Sequence, residues 1–273
     1  MRAPLRVAVV YPDLLGTYGD GGNGLILTRR AQWRGIEAEL AQASSDAPLP
    51  EADIYCLGGG EDGPQVRAAR SLIDDGMLVR RVEAGAVVLA VCAGYQIVGT
   101  TFPGADGTPH EGVGLLALTT SKGVGSRAVG EVTAEVTATH LAHFAPLAPL
   151  ANLAPATLPT LTGFENHGGV TTLAEGVTPL ARVTRGVGNG DGSGTEGAVT
   201  GRVMGTYLHG PVLARNPEMA DLLLAWALDT DASALMPLDD SAHESLRLAR
   251  LGPQLAGAPG RKVRHRVRRR KDW

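Results

Sequence analysis

Short apolar runs, each closed by glycine or a polar cluster, set the rhythm of the first hundred positions. Residues 5–10, 36–40, 53–57 and 87–91 are brief and rich in apolar, often β-branched, side chains, which predicts strands. Residues 87–91 are apolar throughout, the pattern of a strand buried on both faces. Between these runs, residues 25–33 read as a helix stopped by Gly35, and 64–84 as helix broken near Gly76. Alternation of strand and helix predicts a mostly parallel, doubly wound central sheet flanked by helices. The second half changes character. Across 114–136 runs of Leu, Val and Thr alternate with Gly, which predicts additional antiparallel strands, and 160–164, 180–183 and 199–204 read as further strands. Residues 140–160, rich in Ala, Pro and Leu, read as a connecting loop or insertion, and the glycine-rich 187–197 as a mobile loop. Residues 216–228 predict a helix with Asn216 as cap, Pro217 at its first position and an apolar stripe of Leu222, Leu223 and Trp226. Residues 241–251 read as one more helix, so a single α/β domain is expected over 1–251, followed by a tail at 252–273.

Composition changes that picture little. Apolar content is ordinary for a chain of 273 residues, and no apolar run approaches a membrane-spanning length. Met1 leads directly into a strand, so no signal peptide and a cytoplasmic location are expected. The two cysteines, Cys56 and Cys92, show neither metal-ligand spacing nor a disulfide framework, and no metal is expected. Charge is more informative, because the net value of −3 hides an asymmetry. Positions 261–271 hold eight of the 25 basic residues, leaving 17 basic against 27 acidic residues in 1–260. An acidic body argues against nucleic acid as the main ligand. The basic tail follows Gly257, Pro259 and Gly260 and reads as a disordered, solvated terminus, with weak contact to an anionic membrane surface as the alternative.

Candidate chemistry gathers at the ends of the predicted strands. Cys92 follows the apolar run 87–91 at once, with Ala90, Ala93 and Gly94 around it. Small neighbours are what a tight strand-to-helix turn needs if it is to present a nucleophile above a sheet edge. A buried cysteine acting as a small hydrophobe is the alternative. Gly58, Gly59 and Gly60 close another strand; no Gly-Lys-Ser/Thr follows, so they read as backbone donors near the nucleophile rather than as a phosphate loop. A thiol nucleophile needs a base near neutral pH, which histidine supplies. His110, His243 and His265 lie in polar or terminal stretches, and His140 and His143 in the uncertain loop. His167 and His209 each end a strand beside glycine, and the residues alone leave the base role open between them.

Ala90-Val91-Cys92-Ala93-Gly94-Tyr95-Gln96, together with Gly205-Thr206-Tyr207-Leu208-His209-Gly210-Pro211, resembles the class I (triad) glutamine amidotransferases, in their cobyric-acid-synthase-like branch. Tyr18-Gly19-Asp20-Gly21-Gly22-Asn23, Gly58-Gly59-Gly60, Ser126-Arg127-Ala128-Val129-Gly130 and Phe164-Glu165-Asn166-His167-Gly168-Gly169 agree with it, so the resemblance runs over about 5–228. It implies a flavodoxin-like fold and hydrolysis of L-glutamine, with Cys92 as nucleophile and His209 as base and then acid. Gly60 and Ala93 would form the oxyanion hole, Arg127 would grip the substrate carboxylate, and Gln96 would help position the substrate. Within the branch, these motifs are similar to those of glutaminase subunits that feed ammonia to a Mur-ligase-like partner in peptidoglycan synthesis. ATP and Mg would then sit on that partner, with no cofactor in this chain.

One departure stands out. Triad amidotransferases carry His-x-Glu, whereas Gly210-Pro211 follow His209, so the chain offers no obvious acid to orient the imidazole. A carboxylate from the partner is expected there, with Glu165 and Asp20 as candidates within the chain. Two other readings are an amidotransferase of a cobalamin-type amidation and a non-catalytic binding subunit that keeps the fold.

Overall fold

The computed structural model describes residues 3–136 and 160–251. The expectations for positions 140–159, for His140, His143 and His265, and for the basic tail lie outside the described residues. In chain order the first half gives β1 (Leu5–Val10), α1 (Gly22–Trp33), β2 (Ala38–Ala43), β3 (Ile54–Leu57), α2 (Asp62–Asp75), α3 (Met77–Glu83), β4 (Val87–Val91) and the short α4 (Ala93–Ile97). There follow β5 (Thr101–Pro103), β6 (Pro109–Glu111), β7 (Leu118–Lys122), β8 (Ala128–Glu135), β9 (Thr160–His167), β10 (Gly169–Leu173), β11 (Ala181–Arg185) and β12 (Thr195–Glu196). The chain then forms β13 (Ala198–Thr200), β14 (Val203–Thr206), α5 (Val212–Arg215), α6 (Pro217–Ala227) and α7 (Ser241–Leu251).

Six strands form the central sheet in the order β13-β14-β4-β3-β1-β2. All neighbours are parallel except β13 and β14, which form a hairpin. Strand β4 lies in the interior of this sheet, and all five of its side chains are removed from water. Burying its valines and leucine contributes about 1.5–3 kcal/mol each, so this strand is a rigid base for whatever follows it. The second half builds two smaller sheets, β10-β7-β5-β6 and β12-β11-β8-β9. In the latter, β8 and β9 pair antiparallel along eight positions, which places Val129 opposite Asn166.

Several expectations shift by identifiable causes. Strand two begins at Ala38 rather than 36, because Gly35 takes a left-handed conformation (φ +73°) and the Ile36 N–H closes the helix end on the Ala31 carbonyl. The single strand expected over 199–204 is a hairpin turned at Gly201, whose φ of +56° suits glycine. Asn216 does precede α6 but does not cap it. Its carboxamide accepts from the Thr162 N–H (2.8 Å) and donates to the Thr162 carbonyl (2.8 Å), tying the helix start to β9. The glycine-rich 187–197 is held by side chains: Glu165 accepts from the N–H groups of Val187 and Gly188, and the buried Asn189 donates to the Gly197 carbonyl.

Packing divides the chain into Met1–Leu238 and Asp239–Trp273. Everything described below lies in the first unit. Within it, α1 and α6 are clamped by charge: the buried Arg30 makes a bidentate pair with Asp221 (2.8 Å at Nε and at Nη2), and Arg34 Nη2 reaches the same carboxylate at 2.7 Å. Among the described residues, no helix is long and apolar enough to cross a membrane.

Candidate active site

Four connections leave the C-terminal edge of the parallel strands, the edge where open α/β sheets bind ligands, and they meet around Cys92. The turn after β4 sets Cys92 at φ +54° and ψ −105°, a sparsely populated conformation for a residue with a side chain. Such backbone costs on the order of 1–3 kcal/mol and persists where its surroundings over-determine it. Here the Cys92 N–H donates to Thr206 O (2.9 Å) across β14, and the Gly94 N–H donates to Gly58 O (3.1 Å) after β3. Gly94 has no room for a side chain: a Cβ there would stand 2.7 Å from the Leu57 Cβ and 2.9 Å from its carbonyl oxygen. Gly205 is tighter still, since a Cβ would fall 2.0 Å from the Tyr95 ring. The small residues around the turn are therefore steric requirements. Cys56, by contrast, is sealed in the core, and burial pushes its thiol up to about 12.

His209 follows β14, and its backbone is fixed by β9: its N–H donates to Phe164 O (2.8 Å), and the Phe164 N–H donates back to His209 O (3.2 Å). Its Nδ1–H donates to Asp20 Oδ2 at 2.9 Å, and the same carboxylate oxygen accepts the Gly59 N–H at 3.0 Å. Both side chains are almost wholly buried. Gly59 permits this approach, because a Cβ there would lie 2.9 Å from His209 Cε1 and 3.2 Å from Asp20 Oδ2. The Tyr18 ring closes over the imidazole, with centroids 4.6 Å apart. The expectation of a carboxylate from the partner is thereby corrected: Asp20, one of the two candidates within the chain, holds the imidazole from the loop after β1. Burial alone would lower the pKa of His209, but Asp20 and the Cys92 sulfur outweigh it and push it up to about 10. Among the described residues no acceptor is aligned for a hydrogen bond at Nε2. The sulfur is near enough to favour the charged ring without completing that bond.

A pocket of about 210 Å³ opens over Cys92 and is lined in part by Gly60, Asp62, Ala93, Gln96, Arg127 and His167. That is below the roughly 300–1,000 Å³ of drug-sized sites and suits a single amino acid. The N–H groups of Gly60 and Ala93 meet no acceptor among the described residues. Arg127, exposed at the rim, is anchored by Asn166: its Nε–H donates to Oδ1 (2.6 Å) and an Nη2–H to the backbone oxygen (2.9 Å). Gln96 is held from both ends of its amide, accepting from Gln65 Nε2 (2.8 Å) and donating to the Tyr207 hydroxyl (3.1 Å). Asp62 is the one carboxylate among the pocket residues.

His167 also lines the pocket, but both its ring nitrogens are directed elsewhere. Its Nδ1–H donates to Gly169 O (2.9 Å), its Nε2 faces Glu165 at 3.8 Å, and the ring stacks on Tyr207 at 3.7 Å. Glu165 therefore serves His167 and the 187–188 backbone, not His209. Burial pushes its pKa up, but His167 and the N–H groups of Gly188 and Val187 outweigh that and leave it below the ordinary carboxylate value. Sequence reasoning missed Tyr18, Asn166 and Gln65 as site residues. The first two lay inside motifs already singled out, and Gln65 carried no local signal. No cluster of three or more His, Cys, Asp or Glu among the described residues is placed to hold a metal ion.

A cysteine, histidine and aspartate gathered at the edge of a parallel sheet, under a pocket of amino-acid size, describe a class of amide-hydrolysing enzyme, and the sequence agrees. Residues 6–217 match the CobB/CobQ-like glutamine amidotransferase domain, and the chain belongs to that family of enzymes. Among its relatives is the lipid II isoglutaminyl synthase (glutamine-hydrolyzing) subunit GatD of Staphylococcus aureus, 34% identical over 85% of this chain and 88% of that protein. The subunit of the same name from Streptococcus pneumoniae is 32% identical over 82% of this chain and 80% of its own length. Cobyric acid synthase of Sphingopyxis alaskensis is 34% identical over 76% of this chain, a match that takes in 39% of that longer protein.

Proposed function

We propose that this chain is the glutaminase subunit of a lipid II isoglutaminyl synthase. It would hydrolyse L-glutamine and pass the ammonia to a Mur-ligase-like partner, MurT, which uses ATP and Mg to amidate D-glutamate in the lipid II stem peptide. That reaction belongs to the cytoplasm. The observation that carries the hydrolytic half is the Asp20–His209 pair set beside Cys92 beneath the pocket. The acceptor and the partner rest on the two GatD relatives.

In this reading the Cys92 thiolate attacks the side-chain amide carbon of glutamine. The oxyanion that forms lies against the N–H groups of Gly60 and Ala93, donors that need no reorganisation because nothing else occupies them. Protonated His209 gives its Nε2 proton to the departing nitrogen, ammonia leaves, and a thioester remains on Cys92. Neutral His209 then takes a proton from water, whose oxygen attacks the thioester and releases glutamate. Asp20 keeps Nδ1 protonated throughout, so that Nε2 is always the nitrogen that gives and takes. The outer edge of the Arg127 guanidinium takes the α-carboxylate, Asp62 faces the α-ammonium, and Gln96 borders the side chain.

Three measurements test this. Cys92→Ser is expected to abolish ammonia release while the protein stays folded, since an unactivated hydroxyl is a far poorer nucleophile than a thiolate. Wild-type hydrolysis by that variant would sink the mechanism. Reconstitution with a Mur-ligase-like protein should give glutamine-dependent amidation of lipid II. Amidation of a corrinoid acid instead would assign the chain to cobalamin-type chemistry, and failure of a diazo-ketone glutamine analogue to label Cys92 would favour a non-catalytic subunit.

A further inference from the structure

Arg127 and His209 are joined by a path of hydrogen bonds ending in a ring contact, which the reaction above does not use. Two bonds from Arg127 to Asn166, at 2.6 Å and 2.9 Å, fix the plane of the guanidinium and leave its outer edge for a ligand. Asn166 Nδ2–H donates onward to the Tyr18 hydroxyl at 3.1 Å. The Tyr18 ring lies 4.6 Å from the imidazole, and its Cδ2 edge stands 3.0 Å from where a Cβ on Gly59 would be. Two residues further along the same loop is Asp20, which accepts from the imidazole Nδ1–H. A second connection runs through the backbone, since Phe164, two residues before Asn166, exchanges hydrogen bonds with His209. Asn166 thus stands where the grip on the substrate carboxylate and the wall of the catalytic imidazole meet.

We propose that Asn166, acting through Tyr18, is a positioning residue that couples occupancy of the Arg127 grip to the setting of His209. A substrate carrying an α-carboxylate is then turned over faster, besides being bound more tightly. This rests on the glutaminase reading. The physical basis is that a carboxylate on the outer guanidinium edge binds only the arrangement in which Arg127 is flat against Asn166. It therefore selects the amide orientation that reaches Tyr18 and holds the ring against the imidazole. Neighbouring hydrogen bonds in such a chain strengthen one another.

The test compares L-glutamine with 4-aminobutanamide, which keeps the side-chain amide and replaces the carboxylate with hydrogen. Tyr18→Phe removes only the hydroxyl that Asn166 reaches and leaves both bonds from Arg127 to Asn166 in place. This variant is expected to lower kcat on L-glutamine about five-fold, the worth of one hydrogen bond, with KM within two-fold of wild type. The ratio of kcat on L-glutamine to kcat on 4-aminobutanamide should fall by the same factor. Where turnover of 4-aminobutanamide is too slow to compare, alkylation of Cys92 by iodoacetamide serves as the carboxylate-free reference. An equal loss on both substrates, or no loss on L-glutamine, would overturn the coupling and leave Asn166 a loop anchor. A wild-type protein that does not hydrolyse L-glutamine would instead overturn the glutaminase reading, and the coupling with it.

Discussion

Two donors converge on one oxygen of Asp20, the Gly59 N–H and the His209 Nδ1–H, and a carboxamide oxygen in its place would carry no charge. Asp20→Asn should therefore keep the shape of the site while removing what favours the imidazolium. Glutamine hydrolysis is expected to fall by about 10²–10⁴-fold. The pH profile gives a second, signed readout. Asp20 raises the pKa of His209, so the wild-type alkaline limb of kcat/KM belongs near pH 10, where the proton for the leaving nitrogen is lost, and Asp20→Asn should shift it to lower pH. An unmoved limb would mean that Asp20 is not what sets the imidazole. At Arg127, replacement by Ala should raise KM for glutamine by a factor corresponding to about 1.5–3 kcal/mol. Arg127→Lys should restore little, because Lys cannot make both bonds to Asn166 and still offer an edge to the substrate; unchanged kinetics in both would return Arg127 to a surface role. The small neighbours of Cys92 mark it as a candidate nucleophile, but those of His209 leave it level with His167, and only the family resemblance separates the two. Asp20 could be named only as one of two candidate acids: it stands 189 positions from its partner, and nothing local to either residue records a contact made only by the folded sheet.

At the scale of elements, legibility followed burial. Strands β1, β3 and β4, packed inside the sheet, announced themselves as apolar runs and appear where they were expected. Strand β2, on the sheet edge and mostly exposed, has a weaker pattern, and its start was misplaced by two residues. Asn216 shows a different limit. Its type and position fit a helix cap, but its amide is engaged by the Thr162 backbone, and sequence spacing carries no information about that competitor. The clamp between α1 and α6 was invisible for the same reason, and it yields a stability prediction. Asp221→Ala would leave Arg30 and Arg34, whose side chains are 2% and 3% exposed, without the carboxylate they share. Losing one partner of such a buried pair costs about 3 kcal/mol, to be read as a lowered denaturant midpoint with glutaminase activity retained in the folded protein. A midpoint equal to wild type would show that the arginines are satisfied without Asp221.

For the whole molecule, the central consequence of Asp20 is self-sufficiency. The chain holds its own acid, imidazole and thiol, so the isolated subunit should hydrolyse glutamine without a carboxylate from any partner. The measurement is ammonia release by the isolated chain and by its complex with the proposed Mur-ligase-like partner. Replacing each interfacial carboxylate of the partner should change the rate less than two-fold, well under the roughly 10²–10⁴-fold worth of general acid–base help. A ten-fold loss on removing one of them would restore the partner to the catalytic site. The three groups also come from far apart in the chain, at positions 20, 92 and 209. A ribosome making this protein releases the thiol long before the imidazole, and β14, which leads into His209, can pair with β4 only after the antiparallel strands have been made. Until then the nascent chain has a cysteine with no base beside it. An enzyme whose product is a small, diffusible base thus stays silent during its own synthesis and begins to work only when its last sheet strand is in place.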